Sequence, residues 1–184
     1  MQYKLTTPCT AEDLAMLRAG DTILLSGIVY TARDAAHKRM CEALDAGEKL
    51  PFDLNGSGIY YVGPTPDKPG QIIGSAGPTT SGRMDAYSPR LLDLGNKLMI
   101  GKGKRDAAVK EAVVRNGAVY VAALGGAGAL MCQCVKSLEI IAWPDLGCEA
   151  VRRLAVEDMP LTVILDAQGG DLYESGPSAY LQTV

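Results

Sequence analysis

At 184 residues the chain is long enough to bury one sizeable core and too short for two full domains, so residues 1–184 are read as a single domain. An apolar fraction of 47% and a charged fraction of 21% are those of an ordinary globular protein, and a net charge of −3 gives no electrostatic basis for nucleic-acid binding. No apolar run is long enough to span a bilayer, the first residues lack a secretory signal's apolar segment, and five cysteines, an odd number, argue against a disulfide framework and for the reducing cytoplasm.

The chain opens on a β-type run, Tyr3-Lys4-Leu5-Thr6, and Thr10 then starts a helix, with Asp13 completing a capping box. Leu14 and Leu17 supply the buried stripe of that helix and Gly20 ends it. The run from Thr22 to Tyr30 is rich in β-formers, with Ser26-Gly27 as a kink or bulge. Thr31 is the expected N-cap of a second helix, Asp34 its capping-box partner, and Arg33 falls in the first turn. A cation there opposes the helix dipole at a cost of about 0.3–1 kcal/mol, a placement that makes sense if an anion sits between Arg33 and the helix end. His37 lies four residues on, on the same face. Without a ligand, both are solvated groups on a surface helix that continues through Met40, Ala43 and Leu44 to Gly47.

Residues 51–58 read as loop, Ile59-Tyr60-Tyr61-Val62 as a strand, and Pro64 to Gly70 as an exposed, turn-rich connection. Gln71-Ile72-Ile73-Gly74-Ser75-Ala76 reads as another strand. Ser88-Pro89 restarts a helix, with Pro89 at the favoured first position and Gly95 past the end. The strand Lys97-Leu98-Met99-Ile100 leads into a basic turn, Gly101-Lys102-Gly103-Lys104-Arg105. That turn lacks the spacer and the Ser/Thr of a Walker phosphate loop. Lys102, flanked by glycines, can reach an anion; Lys104 and Arg105 read as solvated.

Asp106 to Asn116 is an amphipathic helix and Ala118 to Leu124 a buried strand. Gly125-Gly126-Ala127-Gly128-Ala129-Leu130-Met131 is a poor dinucleotide fingerprint, because its third glycine would fall at Met131, and reads better as a tight strand-to-helix turn. Cys132-Gln133-Cys134 has the wrong spacing for zinc or a cluster, so both thiols read as small core groups. Ile140 to Ala142 and Leu161 to Asp166 are the last strands, and the tail after Gly176 is peripheral. Helices and strands intermix throughout, which makes the class α/β.

Chemistry concentrates in Gly77-Pro78-Thr79-Thr80-Ser81-Gly82-Arg83-Met84-Asp85. Gly77-Pro78 makes a rigid turn, and Thr79, Thr80 and Ser81 are good N-cap residues, so a short helix begins there. Hydroxyls, free backbone N–H groups and the Arg83 guanidinium would then converge on one point, an arrangement suited to a carboxylate or phosphate. The plainer alternative is an ordinary strand-to-helix turn with Arg83 paired to Asp85.

With these pieces placed, the chain resembles the β chain, or C-terminal region, of class I iron–sulfur fumarate hydratases over nearly its whole length. The resemblance is carried by Thr31-Ala32-Arg33-Asp34-Ala35-Ala36-His37, Asp53-Leu54-Asn55-Gly56, Tyr60-Tyr61-Val62-Gly63-Pro64, Gly77 to Asp85, Gly101-Lys102-Gly103 and Gly125 to Leu130. The Pro-Thr-Thr-x-Gly-Arg-Met-Asp run is its most specific part. Tartrate dehydratase β chains resemble the sequence over the same length, but their pattern departs at Gly82 and Asp85, which favours the fumarase branch.

The resemblance implies a swivelling β/β/α fold, with a mixed sheet and flanking helices. It also implies an α-chain partner that holds a [4Fe–4S] cluster to which this chain gives no ligand. The implied reaction is the reversible hydration of fumarate to L-malate, a tricarboxylic acid cycle step. Arg33, Arg83 and Lys102 resemble the family's substrate-binding cations, Thr79 the residue proposed as base, and Thr80 its hydrogen-bonding neighbour. A threonine hydroxyl is a weak base that needs a carboxylate to activate it, and an aspartate of the partner is the natural source. His37 is expected to be structural, orienting Arg33 or touching the partner. The alternatives are an L-tartrate dehydratase β subunit and, less in keeping with four co-occurring site residues, a non-catalytic carboxylate-binding subunit.

Overall fold

The computed structural model describes residues 1–123, 126 and 128–181, so parts of the glycine-rich segment after the strand ending at Ala123 lie outside the described residues. The fold is α/β with a mixed seven-stranded sheet: β1 (Gln2–Thr7), β2 (Thr22–Thr31), β3 (Gly58–Tyr60), β4 (Leu98–Gly101), β5 (Val119–Ala123), β6 (Val135–Ala142) and β7 (Val151–Leu165). β2, β3, β4 and β5 run parallel in succession. β7 runs antiparallel to β5 and to the whole length of β2, which closes the ring β2–β3–β4–β5–β7. β1 and β6 pair outside that ring, on β2 and β7.

Strand alternation divides the core in two. Tyr60, Val62, Leu98, Ile100, Val119 and Val121 join Ile23, Leu25 and Leu161 in one cluster. Ile59, Tyr61, Met99 and Tyr120 point the other way, against residues of α2 (Asp34–Asp45), α3 (Ser88–Asp93) and α4 (Ala107–Arg115). Apolar side chains thus cover both faces of these short parallel strands, which is why their sequences read as nearly continuous apolar runs. The remaining helices are α1 (Ala11–Leu14), α5 (Gly128–Gln133) and α6 (Leu172–Leu181). Among the described residues no helix is long and apolar enough to cross a membrane.

The expected Thr10–Asp13 capping box is present, on a helix only 4 residues long, and the bulge expected at Ser26-Gly27 appears as a register shift between Leu25 and Gly27. Two strand expectations differ. Residues 71–76 form no strand; they are an extended loop held by Thr65, whose N–H donates to the Ser75 carbonyl at 3.1 Å and whose hydroxyl accepts the Ser75 N–H at 2.8 Å. The expected strand from Leu161 is the end of a 15-residue β7. Asp158 at φ 47° and Pro160 sit between the β6-paired and β5-paired parts of that strand. A proline is tolerated there because one ladder edge has no partner.

Candidate active site

Three neighbouring parallel strands deliver the site. β2 ends at Thr31 and leads to Arg33, β3 leads through Tyr61 to Gly63, and β4 leads to Lys102. Ligands in parallel α/β sheets collect beyond these carboxyl ends, where backbone turns free polar groups. The loop at 77–80 folds back across them. The Thr79 N–H donates to the Tyr61 carbonyl at 2.8 Å, Val62 bridges to Pro78, and Thr80 bridges to Lys102. The Ser81 N–H donates to the Lys102 carbonyl at 2.8 Å, and the Ser81 hydroxyl accepts from the Lys102 N–H and the Tyr120 hydroxyl, each at 3.0 Å.

The result is a polar cleft of about 260 Å³ lined by Arg33, Gly63, Gly77, Pro78, Thr79, Thr80 and Lys102. Four of the five residues singled out from the sequence therefore meet in one place. Arg83 lies at its edge: its Nη1 is 3.9 Å from Asp34 Oδ1, and that same oxygen is 3.7 Å from Arg33 Nη2. Gly63 makes room for Arg33, since a Cβ there would stand 2.9 Å from Nη1. Among the described residues the Thr79 hydroxyl has no hydrogen-bond partner within the chain. A larger groove of about 400 Å³ runs beside it between residues 64–74 and β6, but its lining is mostly apolar and its Arg152 is spent on backbone carbonyls.

The loop's short helix is a 3₁₀ turn, Ser81–Met84, with Thr80 at the N-cap position but without a side-chain capping bond. Arg83 is not paired to Asp85. Asp85 accepts from Arg105 Nε at 2.6 Å and from the Asp106 N–H at 2.8 Å, which leaves Arg83 half exposed and 3.9 Å from Asp34. Arg105 is correspondingly not a solvated basic group: its side chain is fully buried between the Tyr61 and Tyr120 rings, with Nη2 donating to Ser88 at 2.8 Å. A lysine and an arginine in one glycine-flanked turn look alike in sequence, so nothing distinguished Arg105 from Lys104.

The start of α2 also differs from expectation. Thr31 is the last residue of β2, and its hydroxyl bonds the Ala150 carbonyl and the Arg152 N–H rather than capping a helix. Arg33 itself takes the N-cap position, with no side-chain cap bond. His37 is buried, not solvated. Its Nδ1 lies 2.9 Å from the Arg33 carbonyl, which can only accept, so Nδ1 carries the proton and Nε2 is a bare, unpartnered acceptor. Burial, aided by the nearby Arg105 charge, pushes its pKa down to about 4 despite the Arg33 bond and Asp34. Glu149, which sequence reasoning did not single out, lies 3.2 Å from Arg33 Nη2. It comes from a turn far along the chain, and no local pattern announces it.

Chemically, the cleft offers the Arg33 guanidinium, the Lys102 ammonium and two threonine hydroxyls to an anionic ligand, with the Arg83 guanidinium near its edge. It holds no acidic cage for a cation: among the described residues no group of three or more His, Cys, Asp or Glu side chains is placed to hold a metal ion.

Residues 1–176 match the family model described as Fumarase C-terminus. The chain is 39% identical over 152 residues to "Fumarate hydratase class I, aerobic" of Escherichia coli, covering 82% of this chain but 28% of that protein. It is 40% identical over 171 residues to the "Putative L(+)-tartrate dehydratase subunit beta" of Methanocaldococcus jannaschii, covering 90% of this chain and 88% of that one. To the "L(+)-tartrate dehydratase subunit beta" of Escherichia coli it is 36% identical over 177 residues, covering 94% and 87%. It thus spans under a third of the fumarate hydratases it matches and nearly all of the tartrate dehydratase β subunits. On its sequence, the chain belongs to the Fumarase C-terminus family.

Proposed function

We propose that this chain, residues 1–184 forming one swivelling β/β/α domain, is the β subunit of a two-chain cytoplasmic hydro-lyase that interconverts fumarate and L-malate. The observation that carries the reading is the meeting of Arg33, Thr79, Thr80 and Lys102 in one cleft, with Arg83 at its rim. Two carboxylates need paired, directional positive charge, which two planar Arg forks and an ammonium supply. Arg33, Arg83 and Lys102 bind and orient the dicarboxylate and stabilise the charge that builds on one carboxylate when the C3 proton leaves. Thr79 takes that proton once a carboxylate of the partner activates it, and Thr80 bonds the substrate beside it.

The [4Fe–4S] cluster belongs, in this reading, to the α chain. Of the thiols, Cys9 is buried, and its burial and the Asp13 charge push its pKa up to about 12. When bound there, the cluster would supply Lewis-acid chemistry, while this chain's residues bind the carboxylates and move the proton.

L-Tartrate dehydratase β is the second reading, favoured by the near-complete coverage of those subunits. The residues that separate the two patterns do not line the cleft. Asp85 is engaged by Arg105, and a Cβ on Gly82 would meet nothing closer than 3.7 Å. The fumarate preference therefore rests on the sequence pattern.

Calorimetric titration of fumarate into the isolated chain and into the anaerobic α–β complex tests the half-site reading. Weak binding alone and at least about tenfold tighter binding in the complex is the expected result. Equal affinity in both would make the chain a self-sufficient carboxylate-binding module instead.

A further inference from the structure

The sequence calls for an anion where Arg33 meets the N-terminus of α2, and the chain supplies one itself. Glu149 Oε1 lies 3.2 Å from Arg33 Nη2, while Oε2 accepts the Ala35 N–H at 3.0 Å. Arg33 cannot cap its own helix, so a free N–H of the first turn is satisfied by a carboxylate from a distant turn. One oxygen caps the helix and the other forms an ion pair with the guanidinium.

The turn that carries Glu149 is fixed independently. Pro144–Glu149 is a 3₁₀ segment entered through Trp143 at φ 51° and bent at Gly147 at φ 59°, both left-handed. Arg152 donates to the carbonyls of Gly147 at 2.8 Å and of Cys148 and Ala150 at 3.0 Å. Asp145 adds a two-bond ion pair to Arg39 of α2, at 3.0 and 2.6 Å. The Arg33 and Glu149 side chains are only 20% and 18% exposed, so solvent and salt screen their attraction less than that of a surface pair. Asp34, by contrast, stands 3.7 and 3.9 Å from its two arginines and holds neither tightly.

We infer that Glu149 is a positioning residue for the anion site: it holds Arg33 by Nη2 so that the Nη1 side, lying over Gly63, lines the cleft. The inference rests on the carboxylate-binding role proposed for that cleft. Glu149 also removes a positive charge from the site, so holding and competing predict opposite effects of neutralising it. Holding makes ligand binding weaker when the charge is lost; competing makes it stronger.

Glu149→Gln retains an oxygen to accept the Ala35 N–H but carries no charge, which separates the grip from the cap. Two readouts are taken. In the isolated chain, the Arg33 Nε–H resonance, assigned by its loss in Arg33→Lys, is ordered in the wild type and becomes mobile in Glu149→Gln while Tm moves by no more than about 2 °C. In the complex with the α chain, KM for fumarate rises about fivefold or more while kcat changes less than about twofold. An unchanged Arg33 signal with unchanged KM would leave Glu149 as a helix cap only, a role that Glu149→Ala would reveal through Tm alone. A lower KM would make it a competing counter-ion and equally overturn the inference. If the wild-type complex turns over neither fumarate nor tartrate, the functional proposal has failed, and the Arg33 resonance alone decides the positioning.

Discussion

At Thr79 the backbone is committed and the side chain is not: its N–H is bound to Tyr61, while its hydroxyl has no partner among the described residues. A group in that state can serve as a base once something outside the chain activates it. Thr79→Ala should accordingly lower kcat of the reconstituted enzyme by about 10²-fold or more with little change in substrate affinity, measured by steady-state kinetics and titration. A rise in KM alone would remove the assignment. Arg83 differs, being half exposed and tied only loosely to Asp34. Arg83→Ala is expected to lower kcat/KM by at least about tenfold without dissociating the chains on gel filtration, and wild-type kinetics would place it outside the site.

His37 offers a test of the scaffold beneath Arg33. Its folded pKa, about 4, lies below the ordinary value of 6.5, so the unfolded chain binds more protons between these limits. Stability from this residue is fully present above about pH 6.5 and is lost as pH falls toward 4. Between pH 7 and 5 the loss amounts to about 2 kcal/mol. Urea unfolding at both values should show that extra loss in the wild type and not in His37→Gln.

Among the elements, the decisive joint is where β4 meets the 77–85 loop. Gly101 lies so close to that loop that a Cβ would stand 2.0 Å from Ser81 Oγ and 2.9 Å from the Tyr61 ring. Ser81 is also the residue that ties the loop to Lys102 and Tyr120. Gly101→Ala should therefore cost about 1–3 kcal/mol in denaturant melts and depress kcat/KM together, because it displaces Thr80 and Lys102. A substitution without effect on either would mean that the loop is not held from β4.

The alternation in β3, β4 and β5, the α1 capping box and the Ser26-Gly27 bulge are all local, and they could be read along the chain. β7 could not, because Asp158 and Pro160 carry turn chemistry, and the β2 strand that pairs with Pro160, and with Met159 and Val156 on either side of Asp158, lies far away in sequence. Residues 71–76 failed in the opposite sense. Their apolar run has strand character, but no strand pairs with it among the described residues, so it packs as a loop on Thr65. In the site, the cations and hydroxyls announced themselves through motif and spacing. Their supports, Arg105 behind Asp85 and Glu149 behind Arg33, are tertiary contacts with no local signature.

On the scale of the whole molecule, the cleft is open and lopsided. Arg33 and Lys102 line it with Arg83 near its edge, while Asp34 and Glu149 stand beside the arginines, so this chain alone offers little net positive charge to the dicarboxylate proposed for it. In the proposed function the remaining compensation, the activation of Thr79 and the rest of the wall are assigned to the partner α chain. The chain spans 88% of a tartrate dehydratase β subunit and 28% of a fumarate hydratase. The most direct test is anaerobic reconstitution with the cognate α chain, with fumarate and L-tartrate turnover assayed side by side and each chain assayed alone. Conversion of fumarate to malate that requires both chains is the expected result. Turnover of tartrate in its place would keep the shared site and replace the substrate, and turnover of neither, with the cluster intact, would contradict a catalytic role for the cleft.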